Sequence, residues 1–236
     1  MNAIIFAAGL GTRLRPLTND IPKAMVLLAG KPLLEHVILR LKTAGVKRIV
    51  INVHHFAEKI ISFIEVNDFG VEIKISNEKQ QLLDTGGGLK FAKDLFIKDE
   101  PILIYNVDIL SDTDISVLVS THKRSGVLAS LLARSSYVDR GFMQKDGMLT
   151  GWQNILTGEK KISNDNFYES TFIGFTGIHI ISYELLGMIE EEGVCSIVDV
   201  YIRLAKYNKI AIVMDDDSFW MDLGTAESLA LAEKYV

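Results

Sequence analysis

The chain lacks the features that mark secreted, membrane-spanning and nucleic-acid-binding proteins. It has one cysteine in 236 residues, Cys195, so no disulfide can form within the chain. It also has no apolar run of the ~18 residues that a spanning helix needs. Acidic residues outnumber basic ones by 30 to 25, which gives a net charge of -5 and no overall positive field for nucleic acid. The first residues read directly into a strand, without a basic signal segment. These absences predict a cytoplasmic protein with no membrane or nucleic-acid partner.

The chain is rich in apolar residues, and their spacing predicts the fold class. Hydrophobic residues make up 48% of the sequence, enough for a sizeable core in a single domain spanning 1–236. Three apolar runs have the length of strands buried on both faces, at residues 3–8, 48–53 and 101–107. Helical spacing of apolar residues separates them. The alternation predicts a doubly wound α/β fold with a mainly parallel central sheet and helices on both faces.

The second half of the chain has a different pattern. Strands are predicted in close succession at 127–133, 141–152 and 172–181, which indicates a small antiparallel addition. Helices are predicted around 182–191 and 196–207, then a strand at 209–214 and a last helix capped by Thr225. The polar stretch 157–170 is predicted to be a mobile connection, either a plain exposed loop or a lid.

The segment IIFAAGLGTRLRPLT, residues 4–18, carries a buried strand into a loop with glycines and arginines. Open α/β sheets bind ligands at such loops, and glycines let backbone N–H groups approach phosphate oxygens. The Rossmann fingerprint would need glycine in place of Leu14, and the Gly-Lys-Ser/Thr of a P-loop is absent. Positive charge for a triphosphate comes from Arg13, Arg15 and Lys23. The loop therefore predicts a phosphate site of another type, with a turn carrying solvated arginines as the alternative.

The stretch AAGLGTRLRPLTNDIPKAM, residues 7–25, resembles the signature G-x-G-T-R-[LM]-x-P-L-T-x-x-x-P-K of the sugar-1-phosphate nucleotidyltransferases. The resemblance continues through LDTGGGL, YNVDIL, FTGIHII and FWMDLGTAESLALAE and covers nearly the whole chain. It implies a Rossmann-like nucleotidyltransferase fold in a short, transferase-only form. The nucleotide-binding part is expected at about 1–110 and the sugar-binding part at about 111–236.

The resemblance also implies the reaction and its catalytic residues. An oxygen of a sugar 1-phosphate attacks the α-phosphorus of a nucleoside triphosphate and releases pyrophosphate, with no covalent enzyme intermediate. Because two polyanions must meet, cations and Mg²⁺ are expected to carry the catalysis. Arg13 is similar to the family arginine at the triphosphate, and Lys23 to the lysine at both reacting phosphates. Asp108, also catalytic, and Asp222 match the family's metal ligands and offer the hard oxygens that Mg²⁺ prefers.

Further site residues follow from the same resemblance. Nucleotide binding is expected of Ala8, Gly9, Gly11, Thr12, Arg13, Glu78, Thr85, Gly86 and Asn106. Glu78 is expected to take part in reading the base, and Gly177 to lie beside the sugar. Asp84 stands where many relatives have glycine. An acidic residue at this position resembles the N-acetylmuramate-1-phosphate uridylyltransferase branch, and this favours UTP. A GTP-dependent mannose- or heptose-1-phosphate guanylyltransferase is the alternative.

Two other classes of protein remain open at this point, and so does the oligomeric state. A non-catalytic nucleotide-binding homologue would not need all four of Arg13, Lys23, Asp108 and Asp222. A glycosyltransferase would be expected to show an Asp-x-Asp motif after a strand, and Asp112-x-Asp114 follows its strand by several residues. The Glu-Lys-Pro of many relatives has only a distant counterpart at 159–161, so no lysine is assigned to the sugar phosphate.

Overall fold

A computed structural model describes residues 1–136 and 138–236. Elements of the first half are β1 (Asn2–Phe6), β2 (Leu27–Leu28), β3 (Lys31–Pro32), α1 (Leu33–Thr43), β4 (Arg48–Val53), α2 (Ala57–Val66), β5 (Glu72–Asn77), α3 (Asp84–Phe91), β6 (Ile102–Asn106) and β7 (Ile109–Ser111). The second half contains α4 (Ile115–Ser125), β8 (Ala129–Arg134), β9 (Arg140–Lys145), β10 (Met148–Asn154), β11 (Lys160–Ile162), β12 (Thr171–Ile181), α5 (Ile197–Leu204), β13 (Ile210–Met214), β14 (Trp220–Asp222) and α6 (Ala226–Ala232).

One mixed sheet organises the molecule. Within the described residues it has ten strands, nine of them in the order β11-β10-β13-β8-β12-β6-β1-β4-β5, with β9 paired to β10 and β12. Strand β1 pairs in parallel with β4 and β6, and β4 pairs in parallel with β5. Strand β12 runs antiparallel between β6 and β8. The antiparallel strands predicted for the second half therefore continue the central sheet instead of forming a separate layer.

Helices cover both faces of the sheet, which confirms the doubly wound prediction. Along β1, Ala3 and Ile5 point into the core beneath α1, α2, α4 and α6. Ile4, between them, points into the second core beneath α3 and α5. All three side chains are fully buried, which explains why the strand is a continuous apolar run instead of an alternating one.

The predicted strands and most of the predicted helices are present; apart from the unpredicted short strands β2, β3, β7 and β14, three differences stand out. Residues Tyr183–Met188 form a 3₁₀ helix where an α-helix was predicted around 182–191. Strand β5 was not predicted; it is an edge strand with partly exposed side chains. The 157–170 stretch contains β11 and a 3₁₀ helix at Asp165–Glu169.

The last helix begins at the predicted cap, because Ser228 N donates a hydrogen bond to Thr225 Oγ1 at 3.2 Å. Across residues 1–136 and 138–236, the structure contains no helix with the length and apolar character to cross a membrane.

Candidate active site

A cleft of about 410 Å³ opens at the carboxyl ends of β1, β4 and β6. One end, the lysine end, is lined by Ala8, Gly9, Lys23, Asn106 and Asp108. The other, the helix end, is lined by Leu82, Asp84, Thr85 and Val194 around the start of α3. Between the two ends lie Phe6, Ala7 and Asn52. The cleft lies where open α/β sheets bind their ligands.

The lysine end is built around a sheltered ion pair. Lys23 Nζ donates to Asp108 Oδ2, and the two side chains are only 12% and 16% exposed. The loop after β1 can lie against Lys23 because Gly11 has a left-handed backbone with φ +63°, and a Cβ there would sit 3.1 Å from Lys23 Cβ. Thr18 Oγ1 donates to Gly11 O at 2.8 Å and holds the loop in this shape.

A second ion pair lies further out, next to the first. Strand β14 pairs with β7 so that Asp222 is opposite Ile109, and Leu223 N donates to Asp108 O at 2.8 Å. This ladder places the backbones of Asp108 and Asp222 side by side. Arg13 Nη2 lies 3.7 Å from Asp222 Oδ2, and these side chains are 62% and 40% exposed. The structure therefore gathers all four of the predicted charged residues at one edge of the sheet.

The two aspartates have a donor set that suits Mg²⁺. Asp222 Oδ1 accepts from Gly224 N at 2.6 Å, while Oδ2 lies beyond hydrogen-bonding distance of Arg13. In the described part of the chain, no group of three or more His, Cys, Asp or Glu side chains is placed to hold a metal. Mg²⁺ does not require such a cage, because it commonly binds through one or two carboxylates together with waters and substrate phosphates. Asp108 and Asp222 fit this type of binding.

A buried polar network connects the two ends of the cleft. Asn52 Oδ1 accepts from Ala7 N at 2.7 Å and from Ala8 N at 3.2 Å. Asn52 Nδ2 donates to Glu78 Oε1 at 2.8 Å, and Glu78 Oε2 accepts from Leu83 N at 3.0 Å. Asn52 and Glu78 are only 3% and 2% exposed. Since buried polar groups with full hydrogen bonding rigidify their surroundings, the network fixes the glycine loop relative to the start of α3.

The glycines of LDTGGGL allow the helix end to pack closely. Cys195 O accepts from Gly86 N at 2.9 Å and from Gly87 N at 3.2 Å. A Cβ on Gly86 would lie 2.9 Å from Cys195 Sγ, and one on Gly87 only 2.3 Å from Gly193 O. Burial is the main cause that raises the pKa of the Cys195 thiol above its usual value. Segment 193–197 thus packs directly against the first turn of α3.

The predicted site residues occupy four kinds of position, and their roles stay predictions. Those that line the cleft are Ala8, Gly9, Lys23, Thr85, Asn106 and Asp108. The lysine end is adjoined by Gly11, Thr12, Arg13 and Asp222. Glu78 and Gly86 lie behind the wall of the cleft, held by the contacts above. Gly177, with φ +78°, lies against Asn106, because a Cβ there would be 2.6 Å from Asn106 Nδ2.

Sequence reasoning missed the roles of Asn52, Asp84, Leu82 and Val194 in this cleft. Asn52 had a detectable signal, since it is the one amide in the apolar strand RIVINV. Asp84 was noted as a departure from glycine that favours UTP, not as a residue that lines the cleft. Leu82 and Val194 carry no signal in the sequence, because apolar residues beside a glycine-rich segment are ordinary.

Comparison with known proteins agrees with this geometry. A model of the family described as nucleotidyl transferase matches residues 2–141. The chain is 30% identical to N-acetylmuramate alpha-1-phosphate uridylyltransferase of Caulobacter vibrioides, over 98% of this chain and 95% of that protein. It is also 30% identical to mannose-1-phosphate guanylyltransferase 1 of Arabidopsis thaliana, over 95% of this chain but 61% of that protein.

The fold is also shared with solved structures. A UDP-glucose pyrophosphorylase from Acinetobacter baumannii superposes with a TM-score of 0.82 at 17% identity, covering 99% of this chain and 92% of that one. The family match and the curated relatives, on a Rossmann-like α/β fold, show an enzyme of nucleotidyl transfer. Within that class, the chain belongs to the sugar-1-phosphate nucleotidyltransferase family.

Proposed function

We propose that this enzyme transfers a nucleoside monophosphate from a nucleoside triphosphate to a sugar 1-phosphate, releasing pyrophosphate. The observation that carries the proposal is the sheltered Lys23–Asp108 pair beside Asp222 and Arg13. These residues lie at one end of a cleft that the glycine loop also lines. Cations and carboxylates gathered at one point suit the in-line attack of one phosphate oxygen on the phosphorus of a second phosphate. This reaction requires no activated nucleophile from the protein.

Each charged residue has a role that its position supports. Lys23 balances the charge of Asp108 in the free protein, and its ammonium group can then turn to the phosphates of both substrates. Arg13, which is mostly exposed, is suited to hold the outer phosphates of the triphosphate. Asp108 and Asp222 would bind Mg²⁺, which when bound adds positive charge at the phosphate oxygens. Backbone N–H groups of the loop at Ala8 and Gly9 complete the cradle.

We propose UTP as the triphosphate and an N-acetylmuramate- or hexose-type 1-phosphate as the acceptor. Support comes from the Caulobacter relative, whose length this chain matches almost fully, and from Asp84 at the helix end. The chain spans about three fifths of the guanylyltransferases it resembles, such as the Arabidopsis protein. GTP with mannose or heptose 1-phosphate is the second candidate, favoured by the number of such relatives at similar identity. Residues 1–110 would hold most of the nucleotide, with Val194 and Asp222 added from the second half, and residues 111–236 would hold the sugar.

The test is a matrix of five triphosphates against several sugar 1-phosphates, with pyrophosphate release as the readout and chelator-treated samples as controls. We expect Mg²⁺-dependent release with UTP and one acceptor. Release of nucleoside diphosphate instead of pyrophosphate would indicate a glycosyltransferase. Nucleotide binding without any product, across the whole matrix, would indicate a non-catalytic homologue.

A further inference from the structure

Asp84 has a backbone conformation that favours glycine. Its φ is +59°, in the left-handed region where a Cβ meets the neighbouring backbone. It is nonetheless an aspartate, and its exposed side chain lines the helix end of the cleft. Non-glycine residues held in sparsely populated backbone conformations cluster at functional sites. The conformation alone assigns no role, so the side chain and its surroundings must supply one.

The carboxylate of Asp84 is oriented but has acceptor capacity to spare. Its Oδ1 accepts a hydrogen bond from Thr85 N at 2.6 Å. Thr85 is itself fixed, because Thr85 Oγ1 accepts from Ile197 N at 3.0 Å. Among the described residues, no lysine or arginine pairs with Asp84, in contrast to Asp108 and Asp222 at the other end of the cleft. The carboxylate therefore keeps acceptor capacity at the helix end of the cleft, which Leu82 and Val194 also line.

We propose that Asp84 is a specificity-determining residue that accepts a hydrogen bond from an uncharged donor on the nucleoside, either a base N–H or a ribose hydroxyl. This inference rests on the proposed function, which places the phosphates at the lysine end. A carboxylate would repel a phosphate group, and it cannot donate to a carbonyl oxygen. What it can accept is a neutral N–H or O–H group.

The chemistry predicts which bases the helix end prefers. Uracil and guanine carry a ring N–H next to a carbonyl group, whereas cytosine and adenine have an unprotonated ring nitrogen at that position. A carboxylate placed to accept from such an N–H favours uracil and guanine, because with cytosine or adenine it would face the lone pair of the unprotonated ring nitrogen. If the ribose hydroxyl is the donor instead, Asp84 selects ribonucleotides without selecting the base.

Direct binding tests the proposal without relying on turnover. Calorimetry would compare UTP, GTP and inorganic tripolyphosphate on the wild type, Asp84→Gly and Asp84→Asn. We expect Asp84→Gly to weaken binding of UTP or GTP by about 10-fold or more, the size of a hydrogen bond to a charged group. Asp84→Asn, which keeps one acceptor oxygen, should lose less. Tripolyphosphate affinity should not fall in either variant, and the melting temperature should be unchanged or higher in Asp84→Gly.

Nucleotide analogues distinguish the two donors. One analogue carries a methyl group on the base N–H, at N3 of uracil or N1 of guanine, and the other lacks the 2′ hydroxyl. The analogue that removes the true donor should bind the wild type weakly and should show no further loss in Asp84→Gly, as a double-mutant cycle requires. The control is Asp146→Gly, which replaces an exposed aspartate of φ +52° in the turn between β9 and β10.

Several results would overturn the assignment. They are unchanged nucleotide affinity in Asp84→Gly, tighter nucleotide binding in Asp84→Asn, an equal loss for tripolyphosphate, or the same loss in Asp146→Gly. If the wild type transfers nucleotides while Asp84 variants behave like the wild type, the proposed function stands and the role of Asp84 fails. If the wild type neither binds nor transfers any triphosphate, both fail.

Discussion

The two ends of the cleft are built by opposite means. At the lysine end, charged side chains pair with each other, Lys23 with Asp108 and Arg13 with Asp222, and they can exchange those partners for a ligand. At the helix end, backbone groups fix the wall: Cys195 O accepts from two amides of α3, and Glu78 is fully engaged by Asn52 and Leu83. One end therefore presents charge that can be redirected, and the other presents a fixed shape.

This difference indicates how one cleft can serve both chemistry and selection. Interactions that raise turnover must be stronger in the transition state than in the ground state, and redirected charges at phosphates meet that condition. Under the proposed function, the fixed wall would bind the ground state and the transition state alike, and it would therefore set the affinity and the choice of base. Changes at the lysine end should consequently lower kcat, and changes at the helix end should raise KM.

The largest effect is expected for Lys23→Ala. Turnover should fall by about 100-fold or more, because the lost cation acts on charge that develops at the reacting phosphates. The loss of turnover should exceed the loss of stability, because Lys23 begins a short 3₁₀ helix outside the hydrophobic core, although its removal leaves Asp108 without its partner. Steady-state kinetics and thermal unfolding check this, with Lys31→Ala as the matched control. Lys31 is an exposed lysine that pairs with Glu35 at 3.1 Å. A variant that loses stability and keeps its turnover would assign Lys23 to structure.

The next effect is expected for Asp108→Asn and Asp222→Asn, tested singly and together. An amide keeps the shape and one acceptor oxygen but loses the charge that binds a hard cation. Each single variant should therefore need a much higher Mg²⁺ concentration for half-maximal activity. The double variant should lose far less than the product of the single losses, because the two residues act as a unit. If the losses of the single variants multiply in the double variant, or if one single variant keeps the wild-type Mg²⁺ requirement, the two aspartates do not bind the same Mg²⁺.

A smaller effect, on stability and not on chemistry, is expected for Asn52→Ala. The change leaves the buried Glu78 carboxylate and two loop amides without their partner, at a cost of about 1–3 kcal/mol in the free energy of unfolding. Urea unfolding measures this. Asn67→Ala is the control, because Asn67 donates to Phe63 O at 2.7 Å on the exposed surface. Equal losses in the two variants would mean that the network does not tie the ends of the cleft together.

The smallest effect is expected for Val194→Ala at the helix end. Val194 is 55% exposed, so removing two methyl groups takes away only part of an apolar contact. KM for the triphosphate should rise about three-fold with kcat unchanged. Val66→Ala, a change at an 80% exposed position, serves as the control. A fall in kcat without a change in KM would contradict the division of roles between the two ends.

Much of the lysine end was predictable, because its residues lie in one long motif and at strand ends that parallel pairing brings together. The helix end was not predictable from the sequence. The partners of Glu78 depend on β5 lying beside β4, and β5 was missed because the partly exposed residues of EIKISN do not form a buried apolar run. The contact of Cys195 with the glycines of α3 joins segments far apart in sequence, and neither segment identifies the other. Side-chain chemistry was visible in the sequence, whereas backbone-to-backbone contacts were not.

Because of the short ladder between β7 and β14, the lysine end can be completed only after β14 has been synthesised. Strand β1 and the glycine loop are synthesised before Asp108, which follows when β6 and β7 are made. Asp222 is synthesised after every described strand of the central sheet and is aligned with Asp108 only when β14 pairs with β7. A nascent chain can therefore assemble β1, β4, β5 and β6 while still lacking one of its charged pairs. Activity should appear after the sheet has formed, and a chain cut before residue 220 should keep much of the fold without a complete lysine end.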